Sequence, residues 1–203
     1  MSFTIIIPAR FESSRLPGKP LMDIHGKTMV QWTWDRAKES GAKRVIIATE
    51  NEQVIQVCES FGAEVFLTSP DHQSGTERIA EVIDLAGING DEILVNVQGD
   101  EPMLPAELIH QVAEGLELHH EIPMATLCEA IDDIETVFDP NAVKVCRDWS
   151  NRAINFSRAP LPWSRDTFAG DTKILPENWA YKRHIGLYAV SYTHLTLPTT
   201  FGV

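Results

Sequence analysis

The first half of the chain alternates short apolar segments with amphipathic ones, and this alternation limits the fold more than any other feature. Four apolar runs of the length of a buried strand lie at residues 3–7, 45–48, 65–67 and 93–97. Four segments with apolar side chains at helical spacing follow them, at residues 29–40, 52–61, 76–86 and 105–118. Because a strand–helix–strand rhythm gives parallel strands joined by right-handed crossovers, the pattern predicts an α/β fold with a Rossmann-like, doubly wound sheet.

The second half of the chain has a weaker helical pattern. Short strands are predicted there at residues 124–127, 143–146, 153–156 and 185–190, separated by loops rich in Pro, Asp and Trp. A mixed, mainly parallel sheet or a β excursion from it would explain this change. With 203 residues, the chain is long enough for one sizeable core, and we predict a single domain over residues 1–190.

Composition and charge exclude several classes of protein. The net charge is -12 and no dense stripe of Lys and Arg occurs, which argues against a nucleic-acid partner. We find no signal-peptide pattern and no apolar stretch long enough to span a bilayer, so the sequence predicts a cytoplasmic protein without membrane insertion. Cys58, Cys128 and Cys146 are odd in number and widely spaced, which favours free, buried thiols over disulfides.

Three cations follow the first predicted strand, which Pro8 ends. Arg10, Arg15 and Lys19 lie in this loop, where the carboxyl ends of parallel strands form a ligand crevice. Arg offers a planar fork to phosphate oxygens and Lys a point charge, so the loop can hold a triphosphate or a pyrophosphate leaving group. The alternative is a solvated basic loop. In a chain this acidic, we favour the anion site.

Asp100 follows the fourth predicted strand and is the candidate metal ligand. Magnesium is commonly held by one or two carboxylates together with substrate phosphates and water, so one well-placed Asp is a sufficient start. The alternative is an ordinary turn at Gly99-Asp100.

Two further polar groups are candidate binding residues. Ser74, Gly75 and Arg78 open a predicted helix, where hydroxyls, backbone N–H groups and a guanidinium can reach a nucleotide, although a capping turn explains them equally well. Arg158 and the trio Arg183, His184 and Tyr188 form a second polar set that can bind an acidic sugar. For the histidine, a hydrogen-bonded structural role is the alternative.

Five motifs carry a resemblance to a known family. They run over residues 14–21 (SRLPGKPL), 71–78 (DHQSGTER), 96–102 (NVQGDEP), 156–159 (FSRA) and 184–188 (HIGLY). Together they resemble the CMP-Kdo synthetase family (3-deoxy-manno-octulosonate cytidylyltransferases), from Met1 to about Val190. The first motif also fits sialic-acid-activating relatives, whereas the second and third narrow the resemblance to Kdo.

The resemblance implies a fold of the nucleotide-diphospho-sugar transferase type and a reaction in which CTP and Kdo give CMP-Kdo and pyrophosphate with Mg²⁺, in lipopolysaccharide biosynthesis. Under it, the catalytic residues are Arg10, Lys19 and Asp100, with Asp100 as metal ligand. The residues that the resemblance implies for nucleotide binding are Ala9, Arg10, Arg15, Lys19, Ser74, Gly75 and Arg78. Those that it implies for Kdo binding are Gln98, Arg158, His184 and Tyr188. A homodimer is also implied.

The segment from Ser191 to Val203 departs from the family pattern. It is Thr-rich, and we predict that residues 191–203 form a non-native tail. Two alternatives to the Kdo-activating enzyme remain open: a non-catalytic CTP-binding module, and an enzyme similar to CMP-sialic acid synthetase.

Overall fold

The apolar run at the start of the chain forms β1 (Phe3–Pro8), all of whose residues are buried. The structure is a computed structural model, which describes residues 2–12, 16–72, 74–88, 90, 92–170, 173–177 and 179–191. These residues fall into two compact units. The first contains the described residues up to 125 and from 187 onward, and the second contains those of 126–186.

The remaining elements follow in chain order. The strands are β2 (Asp23–Ile24), β3 (Lys27–Thr28), β4 (Arg44–Thr49), β5 (Glu64–Leu67), β6 (Ile93–Asn96), β7 (Met124–Ala130), β8 (Lys144–Arg147), β9 (Ala153–Ser157) and β10 (Lys182–Ser191). The α-helices are α1 (Met29–Glu39), α2 (Glu52–Ser60), α3 (Gly75–Leu85), α4 (Ala106–Leu118), α5 (Ile134–Phe138) and α6 (Arg165–Phe168). A short 3₁₀ helix spans Lys19–Leu21.

The strands of the first unit lie in the order β5, β4, β1, β6 and β10. The first four are parallel, and β10 runs antiparallel to β6 with Tyr188 opposite Asn96. The predicted α/β fold with a mixed, mainly parallel sheet is therefore confirmed. Each of the four predicted parallel strands and their helices forms within a residue or two of its expected bounds.

Both faces of this sheet are covered. On one face, Ile79, Val82 and Ile83 of α3 pack against Ile6 and its strand neighbours in a buried cluster. Successive side chains of a strand point to opposite faces, and Ile7 is also completely buried, so the other face is closed as well. This two-sided burial explains why the parallel strands are continuously apolar rather than alternating.

Capping residues set the bounds of α1. Thr28 precedes α1, and its side chain accepts a hydrogen bond from the N–H of Gln31. Gly41 follows the helix with φ of 80°, a left-handed conformation that glycine adopts without strain.

The second unit is built from β8, β9, the first half of β10 and most of β7. β8 is antiparallel to both β9 and β10. Ile131, Val137, Phe168 and Tyr181 form its core cluster. Of these, Val137 and Phe168 lie in α5 and α6, which the sequence did not predict because five and four residues are too few to show a helical period.

The cysteines are free, as predicted, but they are not all buried. Cys58 is buried in α2, Cys146 is half-buried, and Cys128 is exposed. The expectation of burial is wrong for Cys128 because it lies in the half of β7 whose residues face solvent.

No helix within the described residues is long and apolar enough to cross a bilayer.

Ser191 is the last residue of β10 and donates its N–H to the carbonyl of Pro123, at 3.2 Å. The rest of the predicted tail, residues 192–203, lies outside the described residues.

Candidate active site

The parallel strands of the first unit place their following residues along one edge. Arg10 follows β1, Glu50 follows β4, Thr68 follows β5, and Asp100 lies a few residues past β6. Since ligands of open α/β sheets bind beyond the carboxyl ends of the strands, this edge is the candidate site.

Lys19 and Asp100 meet directly at this edge. The Nζ atom of Lys19 lies 2.6 Å from Oδ2 of Asp100, with side-chain exposures of 32% and 50%. The 3₁₀ helix places Lys19 here. Gly18 before it has φ of 71° and donates its N–H to the carbonyl of Phe11 at 2.9 Å, which draws the two ends of the loop together. A cation and a carboxylate thus share one solvent-accessible position.

Arg10 is held at one end of its guanidinium and unsatisfied at another atom. Its Nη2 donates to the carbonyl oxygen of His72 at 2.7 Å. Its Nε is buried and has no hydrogen-bond partner in the part of the chain that the structure describes. A buried donor without an acceptor is costly, so an anionic ligand oxygen at this atom would be stabilising.

Glu50 and Arg78 form a buried ion pair beneath the loop. Oε2 of Glu50 lies 3.0 Å from Nη2 of Arg78, with side-chain exposures of 11% and 1%. Oε1 of Glu50 accepts from the N–H groups of Phe11 and Glu12, at 2.8 and 3.3 Å. Arg78 also donates to the hydroxyl of Thr68. Sequence reasoning missed Glu50, although a carboxylate directly after an apolar strand was the same signal that singled out Asp100.

Arg78 interacts with charges of both signs. Burial lowers its pKa and the charge of Glu50 raises it, while the weaker effects are a lowering by Arg10 and a raising by Glu81. Two guanidinium groups and two carboxylates therefore interact beneath this edge of the sheet.

Two glycines let the backbone approach the end of β1 closely. A Cβ at Gly99 would lie 2.9 Å from the carbonyl oxygen of Pro8, and one at Gly75 would lie 3.6 Å from the Pro8 ring. The backbone N–H of Ala9 donates to Ala48 at 2.8 Å, so this atom holds the strand end in place. The start of α3 and the turn after β6 thus flank the first residues of the loop.

Ser74 is the N-cap of α3. Its hydroxyl accepts from the N–H of Glu77, and the Glu77 carboxylate accepts from the N–H of Ser74, each at 3.2 Å, which is a complete capping box. The structure thereby places Ser74 and Gly75 at the helix terminus near Pro8, together with the other predicted nucleotide ligands of the first unit.

Gln98 and Tyr188 of the predicted sugar set are brought together by Asn96. Nε2 of Gln98 donates to Oδ1 of Asn96 at 3.3 Å, and Tyr188 is the cross-strand neighbour of Asn96. Burial raises the pKa of the Tyr188 hydroxyl, so the phenol is neutral and can donate a hydrogen bond at physiological pH.

Arg158 and His184 belong to the second unit. Nη1 of Arg158 donates to the carbonyl of Pro140 at 2.8 Å. Nε2 of His184 lies 2.9 Å from the hydroxyl of Thr126. The imidazole packs edge-on against the ring of Phe156, with 4.8 Å between the ring centroids. Burial lowers the pKa of His184, which favours the neutral imidazole. A cavity of about 320 Å³ in this unit is lined by Asp139, Asn141, Ala142, Val143, Arg183, His184 and Gly186.

The remaining predicted residue, Arg15, lies outside the described residues. Within those residues, no cluster of three or more His, Cys, Asp or Glu side chains could bind a metal ion without further ligands. Beside Asp100, the Oε2 atom of Glu101 is buried and has no hydrogen-bond partner among the described residues. Burial, and then the charge of Asp100, raise the pKa of Glu101.

Comparison with known proteins decides the family. The model of the cytidylyltransferase family matches residues 4–195. The chain belongs to this family. A 3-deoxy-manno-octulosonate cytidylyltransferase of Hydrogenovibrio crunogenus is 71% identical over 189 residues, which are 93% of this chain and 73% of that protein. The enzyme of the same name from Pseudomonas fluorescens is 53% identical over 188 residues, covering 93% of this chain and 74% of the relative.

A solved structure supports the same assignment. A CMP:2-keto-3-deoxy-manno-octonic acid synthetase complexed with CTP superimposes with a TM-score of 0.84 at 38% sequence identity, covering 96% of this chain and 75% of that one. The predicted family and fold are thus confirmed for this cytidylyltransferase. The chain spans about three quarters of the length of these relatives.

Proposed function

We propose that this cytidylyltransferase activates Kdo, converting CTP and 3-deoxy-D-manno-octulosonate to CMP-Kdo and pyrophosphate. Relatives with this name share 53–71% of its residues over most of the chain. The observation that carries the proposal is the contact between Lys19 and Asp100 at the edge where Arg10 lies. It supports the proposal because a cation suited to phosphate oxygens and a carboxylate suited to a metal ion lie side by side.

In the proposed reaction, the anomeric hydroxyl of Kdo loses its proton to solvent and attacks the α-phosphorus of CTP, and the bond from that phosphorus to the bridging oxygen breaks. Charge grows on the departing pyrophosphate. Arg10 and Lys19 would stabilise this charge electrostatically, and Arg15 is proposed to help them. No covalent enzyme intermediate is needed, because positioning and charge stabilisation supply the rate.

We propose that Asp100 holds Mg²⁺. Its side chain is half exposed at the strand edge, and a carboxylate oxygen is the donor that this hard cation prefers. One protein carboxylate suffices when phosphates and water complete the octahedron. Bound there, the ion would polarise the α-phosphate and lower the pKa of the attacking hydroxyl. Lys19 would then exchange its contact with Asp100 for one with the triphosphate.

The substrate contacts follow from the two polar groups. Ala9, Ser74, Gly75 and Arg78 are proposed to recognise the cytidine. A second set orients the sugar acid through its hydroxyls and carboxylate, and it comprises Gln98, Arg158, His184 and Tyr188. The neutral imidazole of His184 and the neutral phenol of Tyr188 suit the hydroxyl groups of a sugar.

Two wider proposals accompany the reaction. We propose a homodimer, since exposed Ile154 and Phe156 lie on β9, a strand at the edge of its sheet. We also propose a cytoplasmic location, because free thiols are typical of a reducing compartment. Sedimentation of the purified protein tests the dimer.

The test of the reaction is release of pyrophosphate from CTP in the presence of Mg²⁺, with Kdo and with sialic acid in parallel. Turnover with Kdo alone supports the proposal. Turnover with sialic acid alone would show that sialic acid, and not Kdo, is the sugar substrate. Saturable CTP binding without turnover of either sugar would favour a non-catalytic nucleotide-binding module.

A further inference from the structure

The carboxylate of Glu50 joins the loop that carries Arg10 to the buried guanidinium of Arg78. One oxygen accepts from the N–H groups of Phe11 and Glu12, and the other pairs with Arg78 at 3.0 Å. Glu50 is 11% exposed and Arg78 is 1% exposed. Such a pair differs from a surface salt bridge, because both charges are removed from water and depend on each other.

The N–H groups that Glu50 binds are those of the two residues directly after Arg10. Fixing the peptide at Phe11 therefore fixes the main chain from which the Arg10 side chain extends. The far end of that side chain is fixed separately, because its Nη2 donates to the carbonyl of His72 at 2.7 Å. Arg10 is thus restrained at its backbone and at its guanidinium by two different loops.

The loop that holds the guanidinium has its own anchor. Nε2 of His72 lies 2.5 Å from Oε2 of Glu81, which also accepts from the N–H of Ser69 at 2.8 Å. Burial alone would raise the pKa of Glu81, but the bonds from Ser69 and His72 lower it, so the carboxylate stays ionised. The hydrogen bonds of this anchor are therefore made by residues other than Glu50.

We propose that Glu50 is a positioning residue for the nucleotidyl transfer, acting through the peptide at Phe11 to hold Arg10 where the triphosphate binds. This inference rests on the proposed function. Because a displacement of about 1 Å in a charge-stabilising group can cost a factor of about 100, a residue that touches no substrate can still control the use of CTP.

Glu50→Gln is the principal test variant. An amide offers one acceptor oxygen and one donor nitrogen, so it cannot both accept from the Phe11 N–H and face the donors of Arg78. We expect the KM for CTP to rise by about 10- to 100-fold. A loss of folded protein alone would lower the apparent kcat and leave KM unchanged.

Glu64→Gln is the matched control. Glu64 on β5 forms an ion pair with Arg44 on β4 in the same unit, with Nε of Arg44 at 2.8 Å from Oε2. Among the described residues, its side-chain partner Arg44 is neither part of the loop after β1 nor a predicted ligand. The KM for CTP should be unaffected in this variant. An unchanged KM in Glu50→Gln, or an equal rise in Glu64→Gln, would overturn the proposal.

Amide hydrogen exchange gives a readout that does not need turnover. In Glu50→Gln the amides of Phe11 and Glu12 should lose protection, while amides of β1 keep it. If Glu50→Gln does not fold, Glu50→Asp is the second variant. It retains the charge opposite Arg78 but shortens the side chain by one methylene. The amides of Phe11 and Glu12 should lose protection in this variant too. Retained protection at both amides contradicts the inference, whereas a wild-type chain that releases no pyrophosphate contradicts only the proposed function.

Discussion

The Nζ atom of Lys19 and the Oδ2 atom of Asp100 are 2.6 Å apart, although 81 residues separate them in the chain. Each partner is proposed to bind a different part of the substrate complex, the cation a phosphate and the carboxylate a metal ion. In their contact, each side chain balances the charge of the other.

Asp100→Asn should separate catalysis from binding and folding. Removing the carboxylate is expected to lower kcat by about 100-fold or more, since a metal-bound charge stabiliser is lost. The stability should change by less than about 1 kcal/mol because the ion pair is exposed. Pyrophosphate release and thermal unfolding measure the two effects.

The control for this change is Asp35→Asn. It breaks the pair of Asp35 with Lys27 at 2.7 Å, in which the lysine is 41% exposed and the aspartate 24% exposed. Activity should survive there. CTP binding without Mg²⁺ should be unchanged or tighter in Asp100→Asn, since Lys19 is released, and retention of full turnover in that variant would contradict the assignment of Asp100.

Gly99→Ala tests the close approach at the end of β1. The new Cβ would lie 2.9 Å from the carbonyl oxygen of Pro8, which is backbone and cannot swing away. We expect a destabilisation of roughly 1–3 kcal/mol and a loss of activity, measured by denaturant unfolding and pyrophosphate release. Gly115→Ala in α4 is the matched variant. Apart from the neighbouring backbone of its own helix, no atom of the described residues lies within 4 Å of its added Cβ, and the change should stabilise the protein by about 1 kcal/mol or less. Equal effects of the two changes would argue against the steric explanation.

From the lowered pKa of His184, we expect the free energy of unfolding to decline at mildly acidic pH. Burial lowers its pKa from the usual value of 6.5, so the folded state binds the proton less readily than the unfolded state. The contribution of neutral His184 to the free energy of unfolding is therefore fully present above pH 6.5. It is lost as the pH falls through the lower pKa of the folded state. Urea unfolding of wild type and His184→Gln at pH 7.5, 6.5 and 5.5 measures the difference, with His120→Gln reporting the loss of an exposed histidine. A parallel pH dependence in wild type and His184→Gln would refute the linkage.

Thiol labelling should distinguish the three cysteines. Burial raises the pKa of Cys58 to about 12, whereas Cys128 is exposed. Since the thiolate is the reactive form, iodoacetamide should modify Cys128 first and leave Cys58 intact until the protein unfolds. Mass spectrometry of the native and the urea-treated protein measures the order in which the cysteines are labelled. Labelling of Cys58 in the native state at the rate of Cys128 would contradict the burial of α2.

The edge of the sheet could be predicted from the sequence, but its internal contacts could not. Arg10 and Asp100 each follow an apolar strand, and parallel strands place such residues together. The distance of Lys19 from Asp100 depends on the turn at Gly18 and on the 3₁₀ helix, which a loop sequence does not specify. Glu50 follows an apolar strand as Asp100 does, but its role depends on contacts with Phe11 and Arg78 in other elements, which the sequence does not specify.

The second unit was predicted less completely for a physical reason. Its core depends on α5 and α6, whose few turns are stabilised by tertiary contacts rather than by a visible period. Arg158 illustrates the same limit, because its bond to the carbonyl of Pro140 spans 18 residues and follows from how two loops fold.

The strand β10 has a consequence for how the protein is made. Its last residues complete the sheet beside β6, while the whole of residues 126–186 is synthesised between the two strands. During translation, the edge of β6 therefore has no native neighbour until residue 191 leaves the ribosome. A nascent chain arrested before that point would expose an unpaired strand edge, so chaperone binding should be greatest in that interval of synthesis.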